Sequence, residues 1–167
     1  MFANIYSYLN EKVDIAPLVV FRIIFSFMML CSTIRFMLKG WIYTQYIEPK
    51  YYFTYYSFSW VKPLGETGMY LLFLVVAIAA FCMMLGWKYR FFSILFFFSF
   101  TYIELIDKTN YLNHYYFVSL VSFLLIFVPA NRAFSLDVFF NPRLKLSKVP
   151  FYTCLLYTSP SPRDAIP

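Results

Sequence analysis

Tyr102-Ile103-Glu104-Leu105-Ile106-Asp107-Lys108-Thr109-Asn110-Tyr111-Leu112-Asn113-His114-Tyr115-Tyr116 joins two apolar stretches, one running on from Phe91 and one ending near Val128. Two acids, one base, two asparagines and the only histidine of the chain thus meet where two hydrophobic segments touch. Ionisable groups at membrane depth are expensive and usually face a bundle interior, a cavity or one another. The cluster reads as the rim of a functional site at one end of a membrane bundle.

Composition supports that setting. The 167 residues are 62% hydrophobic, 25% aromatic and 13% charged, with a mean hydropathy of +0.65. A typical soluble domain is ~25% charged. A chain of this size has too little interior to hide so much Phe, Tyr, Leu and Ile from water, so lipid is the expected solvent. The net charge of +6 is spread along the chain rather than gathered into a stripe, and this argues against nucleic acid. Cys31 and Cys82 lie in apolar runs and Cys154 near the C-terminus. No CxxC pair and no second histidine exists, so no metal site is expected.

Four spans are expected, at about residues 17–38, 69–86, 91–106 and 115–129, within a domain covering 17–150. Pro17 suits a helix start, because its missing N–H falls among the unsatisfied donors. Gly40, Gly86 and Pro129 suit ends. The last two spans are short against the ~20 residues a crossing needs. The predicted fold is an all-α integral membrane protein, a bundle of four transmembrane helices with a long aromatic-rich extramembrane loop. That loop, residues 39–68, is dense in Trp and Tyr, the rings enriched at headgroup level. Residues 1–16 form an N-terminal arm, either an interfacial helix or plain coil. No secretory signal peptide is evident at the N-terminus.

Seven bases (Lys12, Lys88, Arg90, Arg132, Arg143, Lys145, Lys148) fall on the side of the termini. Four (Lys39, Lys50, Lys62, Lys108) fall on the other. This bias predicts cytoplasmic termini in a multi-pass membrane protein. Residues 154–167 break the pattern and resemble translated sequencing-adapter read-through. They are expected to be non-native, which would make the chain an N-terminal fragment.

Among the candidate site residues, Glu104 and Asp107 are three apart and share a helix face if the third span reaches that far. They either do acid–base work or pair with Lys108 or a nearby arginine. His114, beside Asn113 and Tyr115, can donate, accept or carry charge near neutral pH, or simply sit at the interface. Arg22 lies one turn inside the first span, where it snorkels, pairs inside the bundle or meets a ligand.

Several segments together resemble a known family. They are Pro17-Leu18-Val19-Val20-Phe21-Arg22, Leu85-Gly86-Trp87-Lys88-Tyr89-Arg90, Leu105-Ile106-Asp107-Lys108-Thr109 and Asn113-His114. Asn131-Arg132-Ala133-Phe134-Ser135-Leu136-Asp137 and Lys148-Val149-Pro150 continue the pattern. Over about residues 15–150 the chain resembles the vitamin K-dependent gamma-carboxylases and their horizontally transferred transmembrane (HTTM) domain. The resemblance implies a membrane enzyme, in a bacterial inner membrane, that oxygenates reduced vitamin K or menaquinol. Oxygen and carbon dioxide would be co-substrates, and a glutamate-containing protein or peptide would be carboxylated. His114 would be the catalytic residue supporting the quinol reaction, and Arg22, Glu104, Asp107, Lys108, Asn113 and Tyr115 candidates for the quinone pocket. The family's catalytic lysine belongs to a lysine-pair motif that this sequence does not contain. The alternative reading is a non-enzymatic four-helix membrane scaffold or transport subunit.

Overall fold

A computed structural model describes residues 12–49, 51–53, 55, 56, 58, 60–110 and 113–150. The expected interfacial helix in the N-terminal arm and the tail at 154–167 lie outside them, apart from Lys12 to Ala16. The helices are α1 (Ala16–Leu38), α2 (Trp41–Tyr46), α3 (Gly65–Leu85), α4 (Tyr89–Ile106), α5 (Asn113–Phe127) and α6 (Leu136–Phe140). Three of them, α1, α3 and α4, are long and apolar enough to cross a membrane. The fourth expected span, α5, has 15 residues and a length of ~22 Å at 1.5 Å per residue. It stops before Val128 and Pro129 because the residue preceding a proline disfavours helical geometry.

Helix boundaries follow local chemistry. Pro17 sits in the first turn of α1. Gly40, at φ +67°, ends α1 and opens α2. Gly86, at φ +66°, ends α3 while the Trp87 N–H bonds back to Cys82 O at 3.0 Å, closing the turn across an orphan carbonyl. The α3 helix begins four residues earlier than expected, through Gly65-Glu66-Thr67-Gly68. Glu66 in its first turn complements the helix dipole.

Helix α1 packs on α3, α3 on α4 and α4 on α5, and Phe25 of α1 meets Phe96 of α4 edge-on at 6.3 Å. Ala79 and Ala80 are buried on α3. Small residues at such seams let backbones approach where lipid supplies no hydrophobic drive. The outward faces carry Val20, Ile24, Phe27, Met28, Leu71 and Phe98 exposed, as expected where the solvent is hydrocarbon.

The all-helical expectation misses one element. Strand β1 (Lys12–Asp14) pairs antiparallel with β2 (Lys148–Pro150), Val13 facing Val149. Val149 is buried, and the Ile15 N–H bonds to Ser147 O at 3.1 Å. The segment after α5 therefore folds back over the start of α1, where the sequence suggests a plain linker. The aromatic segment after α2 is tied down at several points. Tyr52 Oη donates to Tyr46 O and Tyr102 Oη to Lys62 O, each at 2.8 Å. Val61 is buried, whereas Tyr51, Tyr56 and Trp60 are largely exposed.

Candidate functional site

At the end of the bundle near Asp107, α1 through α5 enclose a cavity of about 50 Å³. Met29, Phe36, Phe73 and Phe100 form apolar walls, while Thr33, Tyr46, Glu104 and Tyr115 bring polar atoms. Phe36 stacks on Phe73 with centroids 5.0 Å apart. The Thr33 hydroxyl is spent on Met29 O at 2.8 Å, a usual way for a hydroxyl to be satisfied within its own helix. Burial pushes the Tyr46 phenol well above the usual tyrosine range, helped by Tyr115, Asp107 and Glu104. Tyr46 therefore stays a neutral O–H at any ordinary pH.

Glu104 has two exposures. It lines the enclosed cavity, and it also lines a wider groove of about 470 Å³ between α4 and α5. Phe97, Thr101, Leu105, Tyr116 and Phe123 are among that groove's other walls. The Ser119 hydroxyl of α5 donates to Glu104 Oε2, so the carboxylate is held across the α4–α5 seam. The Thr101 Oγ1 is buried without a partner among the described residues.

The two acids part company. Helix α4 stops at Ile106, so Asp107 leaves the face that carries Glu104. Asp107 is buried, and its Oδ1 accepts the N–H groups of Thr109 at 2.9 Å and Phe53 at 3.3 Å. The Lys108 N–H donates to Phe53 O at 2.8 Å, while the Lys108 side chain is exposed. Asp-Lys-Thr is thus a clamp on the aromatic segment. Burial followed by the nearby Asp107 charge raises the Tyr52 phenol as well.

His114, in the first turn of α5, is exposed and is absent from the walls of both hollows. Its ring lies 4.6 Å from that of Tyr115, which does line the cavity. The Asn113 side chain lies outside what is described.

Arg22 is at the opposite end. It is fully buried, and its Nη1 donates to Ala130 O at 3.1 Å and its Nη2 to Phe134 O at 2.7 Å. Irregular backbone at membrane depth needs such internal donors. Gly86 packs against the guanidinium. Nearby, Asp137 accepts the N–H groups of Lys88 at 2.7 Å and Tyr89 at 3.2 Å. It also accepts the Asn131 side-chain amide at 2.7 Å. A carboxylate from the first turn of α6 thereby caps the start of α4, where Lys88 has φ 41°. Of the candidates, the structure gathers Glu104 and Tyr115 at one cavity, with Asp107 and His114 on its margin, and removes Arg22 from it. Ser119 and Tyr46 are additions. Ser119 carries a weak signal, a hydroxyl in an apolar run opposite an acid in the preceding one.

The HTTM domain family matches residues 10–159, most of the chain. The chain belongs to this family. The HTTM domain is the one found in vitamin K-dependent gamma-carboxylase, which agrees with the motifs above. With three helices able to span a bilayer, this HTTM protein is an integral membrane protein. No solved structure matches it.

Proposed function

We propose that this HTTM domain binds a reduced quinone, of the vitamin K or menaquinol class, and oxygenates it to drive carboxylation of glutamate in a protein or peptide. The observation that carries the reading is Glu104, which faces both the enclosed aromatic cavity and the groove open toward the lipid. A lipid-borne ring would leave the bilayer along the groove and, seated there, bring a hydroxyl to Glu104 at the edge of the smaller aromatic cavity. The groove's side chains fit a hydroquinone: Phe97, Tyr116 and Phe123 offer flat apolar surface, and Glu104 an oxygen for a quinol hydroxyl. When bound with oxygen and carbon dioxide, the quinol supplies the strong base that carboxylation needs.

The residues of this chain have narrower tasks. Glu104 takes the quinol proton, steadied by Ser119. Neutral Tyr46 and Tyr115 furnish the polar wall of the small cavity behind Glu104. His114 acts from the mouth through Tyr115. The apolar walls exclude water, which would quench a strong base. The lysine-pair motif is absent from these 167 residues, so the reading assigns them the quinol-binding half of the reaction. In the bacterial inner membrane, with termini cytoplasmic, this cavity would face the outer side.

Anaerobic titration of the protein in lipid nanodiscs with reduced menaquinone-4, followed by tyrosine and tryptophan fluorescence, tests the reading. Saturable binding that Glu104→Gln weakens at least tenfold is expected, since a charge-assisted hydrogen bond becomes a neutral one. Absence of binding by the wild-type protein would leave the scaffold or transport-subunit reading in place. Arg22 and Asp107, each spent on backbone groups, take no part in this binding.

A further inference from the structure

The Arg22 end of the bundle carries an unusual outer surface. Between residues 128 and 150 the one acid is Asp137, and it is spent on Lys88, Tyr89 and Asn131. The same segment holds Arg132, Arg143, Lys145 and Lys148, the last three exposed. Lys148 stands opposite Asp14 in the strand pair, which leaves Arg143 and Lys145 as the bases furthest from a neutralising acid along the segment. Interleaved with them are Phe134, Phe139 and Phe140, exposed by 83%, 77% and 70%. Trp87 of the α3–α4 turn and Phe91 in the first turn of α4 are exposed too, with Lys88 Nζ 5.8 Å from the Trp87 ring.

This surface is built rather than loose. The Leu146 N–H bonds to Arg132 O at 3.0 Å, the β1–β2 pair fastens the far end, and Ser135 caps α6 by accepting the Val138 N–H. Exposed phenyl rings would be costly in water, and exposed bases would be costly in hydrocarbon. Both are at ease where acyl chains meet phosphates, which is where the ends of α1, α3 and α4 would lie.

We propose that residues 131–148, together with Trp87 and Lys88, form a recognition collar for anionic phospholipid: the rings enter the acyl boundary and Arg143 and Lys145 pair with lipid phosphates. The inference is independent of the quinol reading, since no residue is shared with the cavity.

Thermal unfolding of the detergent-solubilised protein, with added phosphatidylglycerol, phosphatidylcholine or inorganic phosphate in separate arms, tests it. Phosphatidylglycerol should raise the midpoint by several degrees, and the other two should not. A basic residue near an anionic surface contributes ~1 kcal/mol, or about fivefold. Arg143→Gln with Lys145→Gln should therefore raise the phosphatidylglycerol concentration needed for half the effect by about 25-fold. An equal response to phosphatidylcholine would overturn the proposal, as would an equal response to phosphate, which would mean a free-anion site. If the double variant does not fold, the wild-type titration at high salt decides. The phosphatidylglycerol effect must shrink as ~1 M salt cuts the screening length to ~3 Å, and an unchanged effect would sink the idea.

Discussion

The two ends of this bundle solve the burial of polar groups in opposite ways. At the Arg22 end, side chains are spent on backbone: Arg22 on Ala130 and Phe134, Asp137 on Lys88 and Tyr89, and Tyr89 Oη on Leu125 O at 2.8 Å. Among the described residues, the Arg22 Nε and, one turn along α1, the Ser26 Oγ are buried without a partner, and Gly86 closes tightly on the guanidinium. At the Glu104 end, Asp107 and Thr33 are likewise spent on backbone, but Glu104, Tyr46 and Tyr115 border empty space. The difference teaches how to separate structural from chemical candidates in a membrane protein. A buried charge whose partners are orphaned carbonyls or N–H groups replaces water for the backbone, whereas one that faces a hollow is available to a guest.

The sharpest way to break that contrast is Gly86→Ala. At φ +66° a side chain is strained, and the added Cβ would meet the Arg22 guanidinium and the Ser135 Cβ. Left-handed strain costs ~1–3 kcal/mol, and displacing a buried guanidinium from two carbonyls adds about as much again. A loss of about 3 kcal/mol or more is expected in thermal unfolding, or failure to fold. Unchanged stability would mean that the Arg22 end is not locked.

Asp137→Asn should come next, at about 2 kcal/mol. An amide keeps one acceptor but removes the charge facing the first N–H groups of α4. Asp107→Asn at the other end should cost about half as much, because its two acceptor contacts hold an exposed aromatic segment rather than a helix start. Equal losses for the two variants in denaturant or thermal unfolding would erase the distinction between the ends.

Much of this architecture was legible in the sequence, and the reasons it stopped being legible are physical. The apolar runs with Pro17, Gly40 and Gly86 marked α1, α3 and the start of α4 to within a few residues. The three-residue strands were invisible, because pairing Val13 with Val149 depends on contacts 136 residues apart and no local pattern encodes it. Arg22 stood out as a buried charge, yet its partners are main-chain carbonyls, which every residue possesses. The run from Tyr102 to Tyr116 pointed to the end of the bundle where the cavity lies. It did not reveal that helix α4 ends between its two acids and so sends Glu104 toward Ser119 and Asp107 toward Phe53. Tyr46, in a six-residue helix, carried no signal beyond being one of many tyrosines.

Alkaline pH should lower stability in part through the cavity end. The Tyr46 phenol titrates higher in the folded protein than the ~10 of an unfolded chain. Its contribution is fully present below pH ~10 and is lost as pH rises from there toward its folded value, because only the unfolded state gains from deprotonation. Tyr46→Phe should flatten the fall in midpoint between pH 9.5 and 11 relative to wild type. An identical fall in the variant would assign the alkaline loss to other tyrosines.

The smallest effect on stability belongs to His114, and it sharpens the boundary of the site. An exposed side chain in a first helical turn usually contributes within ~0.5 kcal/mol, so His114→Ala should unfold with the wild type. Its ring reaches the cavity only by way of Tyr115, so the variant should weaken reduced-quinone binding by less than Glu104→Gln does, about two- to fivefold. A loss of ~10²–10³, the scale of deleting a positioned donor at a reacting oxygen, would move the quinol head out of the groove to the mouth beside His114. Glu104 would then be the supporting group and the histidine the one in contact, and the open end of the bundle would have its chemistry at the rim rather than in the hollow.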